Sequence, residues 1–172
     1  MVTDTTVSTT STASGKFILF GEHAVVYGQP SIACPIPNLL STATITPKTN
    51  NQLKPFIKAP NINISQLLTD SANTNSLFKI INSILRSLKC TDIFQSTIEI
   101  ASDIPMSSGL GSSASISTAI VKSICNYYKI TLNTDALSQI VYKTETILHG
   151  SPSGIDNNVI AYAKPILYTI GQ

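Results

Sequence analysis

Ile104-Pro105-Met106-Ser107-Ser108-Gly109-Leu110-Gly111-Ser112-Ser113-Ala114 is the stretch whose reading decides the fold. Two glycines flank one leucine, two serines follow, and a helical pattern begins directly afterwards. A β-like run, Thr97-Ile98-Glu99-Ile100-Ala101, ends just before it. Strand, small-residue loop and helix N-terminus, in that order, make an arrangement suited to phosphate. Glycines let backbone N–H groups approach an anion closely, and the helix start offers unpaired donors at the positive end of its dipole. The same residues also fit an ordinary strand-to-helix turn with Ser as N-cap, because Gly and Ser dominate turns. The flanking segments have to decide between the two.

Downstream, Ile116, Ala119, Ile120, Ile124 and Tyr127 recur at helical spacing to about Tyr128. Asn133, Thr134 and Asp135 form a helix start, and Leu137, Ile140, Val141, Thr144, Ile147 and Leu148 carry the stripe of a further helix. Gly150-Ser151-Pro152-Ser153-Gly154 breaks it; Ile155 to Tyr162 reads as a short helix and Pro165 to Ile170 as a strand. Upstream, Leu77, Ile80, Ile81, Ile84, Leu85 and Leu88 mark an amphipathic helix over 75–89. Before it come short strand candidates: Phe17-Ile18-Leu19-Phe20 as a buried strand, then Ser31–Ile36, Ser41–Thr46 and Lys54–Ala59, with Asn50-Asn51-Gln52 as a turn. Residues 1–12 are a low-complexity segment, read as a tail running into a strand. The order of elements predicts an α+β fold, and the absence of a polar tail after the last strand pattern suggests a domain cut before its partner.

The bulk numbers narrow the function. The chain has 172 residues, 42% hydrophobic and only 12% charged, with a net charge of +2. That charge is too small to argue for nucleic acid or an acidic membrane. No window reaches the roughly 18 apolar residues of a membrane span, and no signal-peptide pattern opens the chain. Cys34, Cys90 and Cys125 are scattered and fit reduced, buried side chains in a cytoplasmic protein. With no CxxC and no His/Cys cluster, a structural zinc site is not expected.

Three segments concentrate chemistry. In Gly15-Lys16-Phe17-Ile18-Leu19-Phe20-Gly21-Glu22-His23-Ala24-Val25-Val26-Tyr27-Gly28 a lysine enters an apolar run and a Glu-His pair leaves it. Either could be an ordinary surface or structural residue. The glycine loop is not a P-loop, because no Lys follows Gly111. It fits G-x-G-x-x-A, but a dinucleotide fold also needs an acidic residue roughly 20 positions on, where Lys129 and a helix start are found. In the third segment Glu145 and His149, four apart, share a helix face, with the carboxylate near the apolar stripe. A carboxylate there is costly unless paired or holding a cation. Asp156 follows the Ser/Pro/Gly turn and could be a simple N-cap. A Ser113–His149–Asp156 hydrolase triad is conceivable, although no G-x-S-x-G elbow is present. Together the three segments fit metal-assisted phosphoryl transfer. The loop holds phosphates, a hydroxyl and a carboxylate hold Mg²⁺, a second carboxylate takes the acceptor's proton, and a lysine keeps that carboxylate ionised and stabilises the incipient alkoxide.

All three segments resemble the N-terminal signatures of the mevalonate kinases, within the galactokinase, homoserine kinase, mevalonate kinase and phosphomevalonate kinase superfamily. Gly15-Lys16 through Tyr27-Gly28 is similar to the mevalonate-kinase form of the first motif, Gly109–Ala114 to the shared phosphate loop, and His149-Gly150 with Pro152–Asn157 again to the mevalonate-kinase form. The resemblance spans about residues 13–170. It implies an N-terminal lobe like the second domain of ribosomal protein S5, covering residues 13–172, with the glycine-rich C-terminal signature and its lobe absent.

It implies ATP-dependent phosphorylation of mevalonate at the 5-hydroxyl, a step towards isoprenoids and sterols, with Mg²⁺ as cofactor and weak or no turnover by these residues alone. Asp156 would be the catalytic base, and Lys16 would pair with it and touch substrate and phosphate. Ser113 and Glu145 would hold the metal. Ser107, Ser108, Gly109, Leu110, Gly111, Ser112 and Ser113 would cradle ATP, with Asn61 and Ser102 at further nucleotide positions. Glu22 and His23 would line the mevalonate pocket. The family position occupied by Ser107 is usually Gly, so a positive φ there would cost about 1 kcal/mol. The resemblance also allows a homodimer of the full-length protein. Two alternatives stand beside it: a non-catalytic nucleotide-binding or regulatory module, and another small-molecule kinase of the superfamily.

Overall fold

The structure is a computed structural model, and it describes residues 7–47, 55–68, 75–90 and 96–170. Among the described residues six strands form one mixed sheet: β1 (Thr9–Phe20), β2 (Ser31–Pro47), β3 (Phe56–Ala59), β4 (Ile64–Leu67), β5 (Ser96–Ser102) and β6 (Ile166–Tyr168). The order is β1-β2-β5-β3-β4, with β6 paired to the start of β2. All pairings are antiparallel except β3 with β5. Four helices accompany the sheet: α1 (Ser76–Ser87), α2 (Ser112–Tyr128), α3 (Thr134–His149) and α4 (Ile155–Tyr162). The mixture of sheet and helices agrees with the α+β expectation.

Alternation builds the sheet's covered face. In β5 Ile98 and Ile100 are buried while Glu99 and Ala101 are exposed, and Ile45 of β2 and Ile57 of β3 join them with no exposure. Phe78, Ile81 and Ile84 of α1, Ile120, Val121 and Ile124 of α2, Val141 of α3 and Ile155 and Ile160 of α4 complete the core. Helix α2 lies across β1 and β2; its Ser115, Ser117, Thr118 and Ser123 are all buried, Ser117 accepting from Thr144 of α3 at 2.9 Å. Small hydroxyl residues allow close approach, and two of them fasten helix to strand. Ser115 donates to the Ala13 carbonyl at 2.9 Å and Ser123 to the Thr9 carbonyl at 3.0 Å.

Several boundaries differ from the sequence reading. β1 reaches back to Thr9, into the segment read as tail. The two strand candidates over 31–46 are one strand of 17 residues. Val25–Tyr27 form a single 3-10 turn, and β4 carried no sequence signal. The run Phe17–Phe20 is a strand but not a buried one: Phe20 is 66% exposed and Leu19 50%. The turn read at 50–52 lies outside the described residues. Cys90 and Cys125 are buried and Cys34 is partly exposed. Burial first, and then the neighbouring Cys90, pushes the Cys125 thiol up to about 11, so it stays protonated at neutral pH. No helix among the described residues is long and apolar enough to cross a membrane.

Candidate active site

The site forms where β1, the loop before α2, the end of α3 and the start of α4 converge. Along β1 Ala13 and Gly15 face inward, and strict alternation would continue with Phe17. The register with β2 slips at this point instead: Ser14 pairs with Leu40 but Gly15 pairs with Ile36. A slip of this kind moves the following side chains to the other face, so Lys16 is buried at 5% exposure while Phe17 is exposed. The Lys16 N–H then donates to the Leu110 carbonyl at 2.9 Å, which ties the glycine loop to the strand. Glycine permits the contact on both sides. A Cβ at Gly15 would sit 3.1 Å from the Leu110 carbonyl oxygen, and one at Gly111 would sit 2.9 Å from Lys16 Cγ.

The Lys16 ammonium lies 3.0 Å from Asp156 Oδ1. Asp156 is the second residue of α4, whose N-cap is Gly154, so the aspartate is not itself the cap. The N-cap of α2 is likewise a glycine, Gly111, with no side chain satisfying the helix start. The starts of α2 and α4 both open on one cleft of about 640 Å³; neither glycine N-cap supplies a side chain, and at α4 the Ser153 hydroxyl accepts from the Ile155 N–H at 3.4 Å. Ser107, Ser108, Gly109, Leu110, Gly111, Ser112 and Ser113 line the cleft, together with Glu145, His149 and Asp156. Free N–H groups and the positive dipole ends suit an anion. Ser107 has φ +58, the left-handed geometry in which a glycine would be unstrained.

Glu145 is buried at 3% exposure. Its Oε1 has no hydrogen-bond partner, and its Oε2 lies 3.7 Å from His149 Nε2. Burial raises its pKa above the ordinary carboxylate value. The hydrogen bond from Ser113 and the nearby His149 and Lys16 oppose that rise, while Asp156 adds to it. A buried carboxylate short of partners, with a serine hydroxyl beside it, is a donor set that suits a hard cation. Among the described residues no cluster of three or more His, Cys, Asp or Glu could hold a metal. The set therefore fits Mg²⁺, which binds through one or two carboxylates plus phosphate oxygens and water, rather than an all-protein metal centre. The triad reading fails on geometry. Asp156 is engaged by Lys16, and a single imidazole nitrogen, His149 Nε2, faces both Ser113 Oγ (3.4 Å) and Glu145. A relay needs one partner on each ring nitrogen.

Asn61 and Ser102 also meet, the Asn61 amide donating to the Ser102 carbonyl at 3.3 Å. They line a pocket of about 250 Å³ with Ile62, Ile104, Met106 and Ile116. It shares Ile62, Leu77, Met106, Ser112 and Ile116 with the larger cleft. Glu22 and His23 are exposed on the turn after β1, and neither lines that cleft. Sequence reasoning missed the groups that grip the turn before Asp156, above all Tyr168. A lone tyrosine in a three-residue strand offers no signal for that contact.

A strand-bound lysine, a glycine loop at a helix start and two carboxylates are thus gathered around one cleft. The model of the GHMP kinases N terminal domain matches residues 75–164, more than half of the chain, and the chain belongs to that family. It is 34% identical over 155 residues to a mevalonate kinase of Methanocaldococcus jannaschii, covering 86% of this chain and 49% of that one. It is 30% identical over 206 residues to one from Dictyostelium discoideum, covering 91% and 53%. Among solved structures it is similar to the Methanococcus jannaschii mevalonate kinase, with a TM-score of 0.85 and 27% identity over 96% of this chain and 55% of that one. The chain thus spans about half the length of the curated relatives it matches.

Proposed function

We propose that these residues form the nucleotide and acceptor site of a mevalonate kinase, which transfers the γ-phosphoryl group of ATP to the 5-hydroxyl of mevalonate in the cytoplasm. The observation that carries this reading is the Lys16–Asp156 ion pair beside a glycine loop that opens an uncapped helix. ATP phosphates lie on the N–H groups of residues 107–113, and the nucleoside side extends towards Asn61 and Ser102. Asp156 accepts the proton of the acceptor hydroxyl. Lys16 steadies the oxyanion as it forms, and a modest base is enough because phosphoryl transfer proceeds through a loose transition state. Ser113 and Glu145 hold Mg²⁺, which neutralises charge on the phosphates when bound. Glu22 and His23 recognise mevalonate. The mevalonate-kinase relatives, and the Glu22-His23 form of the first motif, favour this acceptor over a sugar or an amino-acid alcohol.

The carboxyl group of Asp156 is 29% exposed, and such a site excludes water incompletely. Turnover by the 172 residues alone is therefore slow or absent, and the test is a single-turnover assay with protein in excess over labelled ATP. Transfer to mevalonate, but not to galactose or homoserine, is expected. Asp156→Asn should lower the rate by about 10³-fold and leave ATP binding within a factor of three or so. Transfer to galactose instead would reassign the acceptor, and undiminished transfer in the variant would show that the base is elsewhere. ATP binding with no transfer, also in a longer chain carrying the rest of the protein, would favour a nucleotide-binding module. Ser107 is the residue that favours this second reading.

A further inference from the structure

We propose that Tyr168 is a positioning residue for Asp156, holding the turn from which the carboxylate projects; this rests on the role of Asp156 proposed above. The turn at residues 151–154 has no regular structure of its own, yet it sets where α4 starts. Its three successive carbonyls are each taken by a side chain from outside the turn. Tyr142 of α3 donates to the Pro152 carbonyl at 3.4 Å, Tyr168 of β6 to the Ser153 carbonyl at 2.7 Å, and Asn158 of α4 to the Gly154 carbonyl at 2.8 Å. The middle bond is short, like that of Asn158, and it comes from a residue held in the sheet. Tyr168 pairs with Ser31 in the β2–β6 ladder. Ser31 is buried, and its hydroxyl donates to the Phe20 carbonyl at 3.0 Å, so the tyrosine is fixed to the strand that also carries Lys16.

The second observation is the fit at Gly154. This residue has φ +88, and a Cβ on it would lie 2.4 Å from the Tyr168 hydroxyl oxygen. The phenol therefore occupies the space a side chain would need. Hydrogen bond and contact together place the last residue before α4, and Asp156 follows two positions later. Lys16 and Asp156 meet because β1 and the turn are referenced to one β2 strand, the first directly and the second through β6 and Tyr168. The phenol touches no reacting atom; it acts through the turn. The same turn borders a second cavity lined by Tyr142, Lys143, Asn157 and Tyr168.

The test compares Tyr168→Phe with Tyr142→Phe, whose hydroxyl makes the long bond to the same turn. Removing the Tyr168 hydroxyl keeps the ring and deletes one hydrogen bond. It should lower the single-turnover rate about tenfold, leave the dissociation constant for MgATP within twofold or so, and accelerate amide hydrogen exchange over residues 154–158 but not over α3. Tyr142→Phe should change the rate and the exchange less than twofold or so. Unchanged exchange over 154–158 in Tyr168→Phe overturns the proposal whether or not the chain turns over. An equal loss of rate and MgATP affinity also overturns it, because that is the signature of general loosening. If Asp156→Asn leaves the rate intact while Tyr168→Phe still frees the turn, the base assignment has failed and the clamp stands as structure only.

Discussion

Gly111→Ala tests whether the glycine loop is packed on Lys16, and Gly109→Ala supplies the internal control. The two glycines have nearly the same backbone, φ +73 and φ +75, but different surroundings. A Cβ at Gly109 meets nothing within 4 Å, whereas one at Gly111 would lie 2.9 Å from Lys16 Cγ and 3.0 Å from Ile160 Cδ1. Both alanines carry the left-handed penalty of roughly 1–2 kcal/mol, partly offset by about 0.4–1 kcal/mol from a less disordered unfolded chain. Only Gly111→Ala adds overpacking, worth about 1–3 kcal/mol. For a chain of this length 1 kcal/mol is about 2–4 °C of melting temperature. Gly111→Ala should therefore melt about 2–12 °C below Gly109→Ala. It should also lose phosphoryl transfer more steeply, because the lysine stem that must yield is tethered to Asp156, and an ångström of misplacement can cost about 100-fold. The assay is thermal unfolding of the two variants side by side, followed by single-turnover rates. Melting temperatures within about 2 °C of each other would refute the packing of Lys16 against the loop.

Glu145→Gln should raise stability at neutral pH and not near pH 4. The folded-state pKa of Glu145 lies above the ordinary value of 4.5 because of burial, so the native state keeps a proton that the unfolded chain has released. Wild-type stability then falls as pH rises through the window above 4.5, and the glutamine removes that loss; parallel melting curves from pH 4 to 8 would contradict the burial. Ser107→Gly should relieve the strain of φ +58 and raise stability by up to about 1 kcal/mol. A fall in melting temperature would mean that Ser107 is held by something other than backbone convenience.

Helix positions were legible because their apolar spacing is local: the stripes over 75–89 and 134–149 match α1 and α3 closely. The glycine loop, Ser113, Glu145 and Asp156 were legible as chemistry because each sits in a short motif. Lys16 was legible as a residue but not as a buried one. Alternation along β1 predicts Phe17 inward, and the reversal depends on the slip against β2 at Gly15, whose cause lies in the residues 37–39 of another strand. The same reversal turns Phe17 and Leu19 outward and leaves Ile18 packed against the core, and a second slip between Ile18 and Phe20 precedes the exposed Phe20. β4 was invisible because Ser65, Gln66 and Leu67 are exposed and only Ile64 is buried. The two candidates over 31–46 read as separate because Pro37 falls between them; it lies in the stretch 37–39 where the β1–β2 ladder is irregular, a position that tolerates proline.

The electrostatics of the cleft give a further expectation. The first turn of α2 holds no acidic residue and no side-chain cap, so its positive end lacks an anion. Glu145, beside Ser113 of that turn, is buried; His149 and Lys16 lie near it but leave its Oε1 unpartnered, so that oxygen is open to a cation. Either ligand alone corrects one deficit and worsens or ignores the other. ATP without metal brings negative charge towards Glu145, and Mg²⁺ without phosphate must shed water that it releases reluctantly. The pair supplies both charges at once, so stabilisation by Mg²⁺ and ATP together should exceed the sum of the separate effects. At a MgATP concentration 100 times its dissociation constant the gain is about 2.7 kcal/mol, or about 5–11 °C. Thermal shifts measured with ATP in EDTA, with Mg²⁺ alone and with both decide the point. An ATP shift as large in EDTA as with Mg²⁺ would show that Glu145 and Ser113 do not hold the metal, and Glu145→Gln should by itself reduce the combined shift to the ATP-only value.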